Sequence, residues 1–140
     1  MLSLSKIIFK VERLSKIMSE GKFATSVSCI DGRIQIPLTN WIKENYSVDY
    51  VDTITEPGVD KNIAKDSVIE SIKTKARISI HAHKSELIVF SGHYNCAANQ
   101  VSNEEHIELI KKGIGVISSW NLGAKVIGVW VDDSWNVNTV

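Results

Sequence analysis

The sequence predicts an α/β fold built on an open parallel sheet. Two observations carry this reading: four short apolar runs with strand character, and amphipathic helical segments between them. A third is length. At 140 residues with 44% hydrophobic side chains the chain buries a core without disulfide staples, so one domain spanning residues 1–140 is expected.

Leu4, Ile7, Ile8, Val11, Leu14, Ile17 and Met18 recur at three- and four-residue spacing, which marks an N-terminal amphipathic helix that Gly21 ends. "FATSVSCI" then reads as a buried strand and "DGR" as its turn. Leu38 to Tyr46 is expected to be a short helix, "VDYVDTI" a second strand, and "TEPGVDKN" a loop around the Pro57-Gly58 turn signal. Ile63 to Lys84 reads as a helix on Val68, Ile69, Ile72 and Ala76, although Ile78, Ile80 and Ala82 alternate as in a strand. "ELIVFSG" is a third strand. Ser102 with Glu105 fits a capping box, and Ile107, Ile110, Ile114, Ile117 and Trp120 continue a helical face. "AKVIGVWVDD" closes the series as a fourth strand, and strands separated by helices imply parallel pairing through right-handed crossovers.

Charge excludes some partners. Lysine plus arginine balance aspartate plus glutamate at 16 each, which leaves no basic field for a phosphate backbone, so no nucleic-acid partner is expected. No run approaches the roughly 20 apolar residues of a membrane span, and the N-terminus lacks the pattern of an export signal, so no membrane is expected and the cytoplasm is the expected compartment. In a reducing compartment the two cysteines, Cys29 and Cys96, are thiols or metal ligands rather than a disulfide.

Both cysteines follow strands. Cys29 closes the first strand, and His93 and Cys96 follow the third. With strand order 2-1-3-4 those two strand ends are neighbours at the point where the order reverses, where open α/β sheets bind ligands. Two thiolates and an imidazole form a zinc set that leaves a fourth position for water, substrate or Asp31. Cys96 at a helix N-terminus would have its thiolate favoured by the dipole. Arg33, two residues past Asp31, can instead hold that carboxylate in a bidentate pair. The competing reading is two inert core thiols.

Cys29-Ile30-Asp31-Gly32-Arg33 after the first strand and Gly92-His93-Tyr94-Asn95-Cys96 after the third resemble the two signature motifs of the β-class carbonic anhydrases, over about Phe23 to Asp132. The resemblance implies Zn2+ held by Cys29, His93 and Cys96, with Asp31 and Arg33 as a gating catalytic pair in which Asp31 either accepts a hydrogen bond from the reacting water or becomes the fourth ligand. It implies interconversion of carbon dioxide and bicarbonate, a four-stranded parallel core with helices on both faces, and a homodimer or larger homo-oligomer in which residues 1–20 serve as an arm. Thr55-Glu56-Pro57-Gly58 departs from the Arg-Asn-Ala-Gly-like stretch usual after the second strand. A related hydrolase of carbonyl sulfide or carbon disulfide and a catalytically silent zinc protein closed by Asp31 are the alternatives.

Other polar residues are expected to be structural. His81 and His83 precede the third strand, at the end of the sheet away from the cysteines. His106 is expected to be an exposed helix histidine, with proton shuttling as the less favoured role, and Glu56 a loop surface residue, with facing the metal as the less favoured role. Trp120, Trp130 and Trp135 read as core or interface aromatics, and Asp132-Asp133 as a solvated strand end.

Overall fold

The structure, a computed structural model, describes residues 2–19 and 21–140, and of residues 15–19 the backbone alone. The side chains of Ile17 and Met18, read above as part of the first helical face, therefore lie outside the described residues.

Helix α1 (Leu4–Ser19) precedes β1 (Phe23–Ser28), α2 (Gly32–Tyr46) and β2 (Tyr50–Thr55). The one-turn α3 (Val59–Asn62), α4 (Asp66–Ala82), β3 (Leu87–His93) and α5 (Asn103–Ser118) follow, then β4 (Lys125–Val131) and β5 (Val137–Thr139). The sheet order is β2-β1-β3-β4-β5, so the expected 2-1-3-4 core is present. Pairing among those four strands is parallel throughout.

The expected parallel core gains one further strand. β5 returns beside β4 in antiparallel register, Val131 opposite Val137, and makes the sheet mixed. A three-residue strand after Asp132-Asp133 has too few residues to display an alternating pattern, so nothing in the sequence announced it. Asp132 makes the reversal: its Oδ1 accepts from the backbone N–H groups of Ser134 and Asn136, and its Oδ2 from Asn138 Nδ2. It is a turn-forming residue rather than a merely solvated one.

Two further elements differ from expectation. Helix α2 begins six residues before Leu38, because Asp31 caps it by accepting the N–H of Arg33, so "DGR" is a helix start and not a free turn. Part of "TEPGVDKN" is helical, the turn α3 following Gly58, which sits at φ +57°. The Ile63–Lys84 segment resolves in favour of helix, since Ile72, Ala76, Ser79 and Ile80 share the buried face of α4.

Every residue of β3 is buried because both faces of the sheet are covered. Ile88 and Phe90 pack with Ile72 and Ala76 of α4 and Ile110 and Ile117 of α5. Leu87 and Val89 point the other way, onto Leu38 and Ile42 of α2. These two layers fix β1 and β3 side by side, and thereby fix what extends from their C-terminal ends.

Candidate metal centre

Cys29 follows β1 directly, His93 is the last residue of β3, and Cys96 lies in the turn beyond it. Neighbouring parallel strands bring these to one place: donor atoms of Cys29, His93 and Cys96 all lie within 4.8 Å of one another, and all three residues are buried. The two sulfurs are 3.9 Å apart and both cysteines are free thiols.

The orientation of His93 is set locally. Its Nδ1–H donates to the carbonyl of Tyr94 at 2.8 Å, which fixes the tautomer and turns the Nε2 lone pair inward. That Nε2 is buried without a hydrogen-bond partner among the described residues. A buried polar atom so left is costly unless something coordinates it, and an imidazole lone pair beside two thiol groups is a donor set that fits zinc.

The surroundings ease ionisation of one thiol more than the other. Burial alone would raise the Cys29 thiol, but the His93 ring and the backbone N–H groups of Gly58 and Asp31 outweigh it and bring it down to about 7. Burial likewise opposes charge on His93, yet the Cys29 sulfur and the Tyr94 carbonyl move it upward. Cys96 is pushed up by burial and by the neighbouring Cys29 sulfur, with the amides of Ala98 and Asn99 only partly compensating. The expected helix N-terminus at Cys96 is absent: α5 starts at Asn103, so the intervening turn, not a dipole, surrounds the thiol.

Asp31 and Arg33 form a bidentate pair beside the cluster. Arg33 Nε donates to Asp31 Oδ1 at 3.0 Å and Nη2 to Oδ2 at 2.7 Å. The guanidinium hydrogen bonds hold the Asp31 carboxyl at about 2, well under its ordinary 3.8. Arg33 is itself oriented by the Asn95 carbonyl, 3.1 Å from Nη2, and by the Trp135 ring, whose centroid is 4.9 Å from the guanidinium carbon. Of the two states foreseen for Asp31, the structure holds the arginine-paired one. Gln35, which the sequence did not single out, donates Nε2 hydrogen bonds to the carbonyls of Cys29 and Asp31 and so ties the Cys29 turn to α2.

The remaining residues separate from this site. His83 stacks on Phe23 and donates to Asp52 Oδ2 at 2.7 Å, at the opposite end of the sheet as expected. Glu56 is half-buried and does not join the donor cluster. His106 is the correction. It is not an exposed helix histidine but is only 2% exposed, with Nδ1–H donating to Asp60 Oδ2 and its ring tilted against Trp130. A cavity of about 510 Å³ opens at the far end, among Phe23, Tyr46, His83 and Lys125, and contains none of the cluster.

Fold and donor set together define an α/β protein with a Cys–His–Cys cluster, able to hold a metal ion, at the C-terminal ends of the parallel core strands. The family described as "Putative carbonic anhydrase" matches residues 19–140, and the chain belongs to it. No curated protein matches the sequence. Among solved structures the chain is similar to a carbonic anhydrase from Streptococcus mutans, at TM-score 0.58 and 16% identity, with 100% of this chain and 99% of that one covered. It is also similar to the β-carbonic anhydrase CafA of Aspergillus fumigatus, at TM-score 0.57 and 12% identity over 97% and 84%. A third is one of two tetrameric β-carbonic anhydrases from Sordaria macrospora, at TM-score 0.53 and 14% identity over 97% and 91%. The fold is that of the β-carbonic anhydrases. Among the described residues no helix is long and apolar enough to cross a membrane.

Proposed function

We propose that the chain is a zinc-dependent carbonic anhydrase that interconverts carbon dioxide and bicarbonate. The observation that carries this reading is the meeting of Cys29, His93 and Cys96 donors within 4.8 Å around an unpartnered His93 Nε2. Cys29 and Cys96 bind as thiolates and offset the dication's charge, and His93 binds as neutral imidazole through Nε2. When bound, zinc supplies Lewis-acid chemistry that lowers the pKa of water to about 7, a value established for the three-histidine carbonic anhydrase site. Asp31, kept ionised by Arg33, accepts a hydrogen bond from the reacting water and orients it toward carbon dioxide. The pairing with Arg33 supports this role over permanent ligation by Asp31.

The whole chain, residues 1–140, acts as one domain in this reading, in a reducing cytoplasm that keeps both thiols free. It works as a homodimer or larger homo-oligomer with residues 1–20 as the arm. What supports assembly is the apolar stripe of α1, which lies exposed, together with the tetrameric state of the Sordaria macrospora relatives.

The test is stopped-flow carbon dioxide hydration by zinc-quantified protein at pH 7 and pH 9. Turnover at either pH that disappears with chelation of the metal supports the proposal. Full zinc occupancy without turnover at both would overturn it in favour of a site closed by Asp31, or of another small substrate.

A further inference from the structure

Asp60 and His106 are 4% and 2% exposed, and neither belongs to the donor cluster. A carboxylate buried this deeply carries a large desolvation penalty and persists only where its oxygens are satisfied. Its partners come from separate parts of the chain. Oδ1 accepts from Asn99 Nδ2 and from the backbone N–H of Lys61, both at 3.0 Å, and Oδ2 accepts from His106 Nδ1 at 2.5 Å.

These contacts join the three segments that bear the metal ligands. Gly58, two residues before Asp60, donates its N–H toward Cys29 Sγ at 3.5 Å. Asn99, three residues after Cys96, bonds the carboxylate directly, and its N–H returns to the Cys96 carbonyl at 3.3 Å. Gly92, immediately before His93, lies so close that a Cβ there would stand 2.9 Å from Asp60 Oδ2. Gly58 packs equally tightly on the turn after Cys96, since its own Cβ would meet the Ala98 carbonyl oxygen at 2.9 Å.

We infer that Asp60, braced by His106 and Asn99, is the positioning residue of the Cys29–His93–Cys96 centre: it sets the ligand geometry without touching the metal. The inference rests on the metal reading above. Buried polar networks often stabilise no more than well-packed apolar groups do, so the effect belongs in coordination rather than in stability alone. Asp60→Asn sets an amide N–H against a group that had donated to the carboxylate, His106 Nδ1 on one side or Asn99 Nδ2 and the Lys61 N–H on the other.

Zn2+ affinity by chelator competition and the visible spectrum of the Co2+-substituted protein are to be measured on the wild type, Asp60→Asn, Asn99→Ala and Cys96→Ser. Urea unfolding of the metal-free proteins is followed separately. The expected result is a roughly 10- to 100-fold loss of Zn2+ affinity in folded Asp60→Asn, a smaller loss in Asn99→Ala, and a changed cobalt ligand-field band in both. Zn2+ affinity within about two-fold of wild type with an unchanged cobalt spectrum, however unstable the variant, overturns the inference alone. Should Asp60→Asn not fold, Asn99→Ala decides by the same two readouts. A wild type that takes up neither metal, or a Cys96→Ser variant that binds as well, overturns the metal reading and this inference with it.

Discussion

At the scale of single residues, the Asp31–Arg33 pair sets the state of the carboxylate beside the donor cluster. Arg33 anchors Asp31 through two side-chain bonds, while its backbone N–H caps α2 on the same carboxylate. Arg33→Ala removes the first two bonds and keeps the third. Because the arginine side chain is 46% exposed, the pair is screened by solvent and only a small stability loss is expected in urea unfolding. In the metal-free variant the Asp31 carboxyl returns toward its ordinary range, read by carboxyl-carbon NMR titration. The sign follows from the depressed folded value: the pair contributes fully above the ordinary 3.8 and fades as pH falls toward about 2. Freed from Arg33, Asp31 is expected to become the fourth ligand, abolishing hydration and altering the Co2+ spectrum. Unchanged turnover and spectrum would remove the gating idea. The pair was legible in the sequence because Asp31 and Arg33 are two residues apart in the Cys29–Arg33 motif. Asp60 and His106 were not, because 46 residues separate them and neither sits in a motif. Only the folding of α3 beneath the Cys96 turn makes them neighbours.

At the scale of elements, α5 approaches β3 more closely than a side chain on the facing surface would allow. A Cβ at Gly113 would lie 2.6 Å from Phe90 Cε2, and one at Gly128 on β4 would lie 2.6 Å from Ile110 and Ile114. Phe90 is fully buried, so a displaced ring must push on its packed neighbours. Gly113→Ala therefore sets a helix-propensity gain of about 1 kcal/mol against an overpacking cost of about 1–3 kcal/mol. The packing term is expected to win, giving net destabilisation in urea unfolding, and a stabilised variant would mean that the α5–β3 spacing is compliant. The amphipathic helices were readable by their periodicity and the four core strands as short apolar runs between turn signals. Three features were not: the early start of α2, the single turn of α3, and β5. A cap bond at Asp31, a positive φ at Gly58 and a turn built by Asp132 determine these, and none leaves a periodic signal.

At the scale of the whole molecule, the sheet is covered on both faces, yet α1 leaves its apolar side exposed. Leu4, Ile7, Ile8, Val11 and Leu14, between 44% and 73% exposed, occur at the spacing of one helical stripe. Removing such a stripe from water is worth about 25 cal/mol for each Å² of apolar surface covered, and a second copy of the same helix offers a matching surface. Wild-type protein is accordingly expected to sediment as a dimer or larger assembly, and Ile8→Lys/Val11→Lys as a monomer with its far-ultraviolet circular dichroism retained. Cys29, His93, Cys96 and Asp60 all come from one chain, so that monomer should still bind stoichiometric zinc. A wild type that sediments as a monomer, or a double variant that assembles normally, would show that α1 does not hold the copies together. A monomeric variant that also loses zinc would mean that assembly shapes the centre as well.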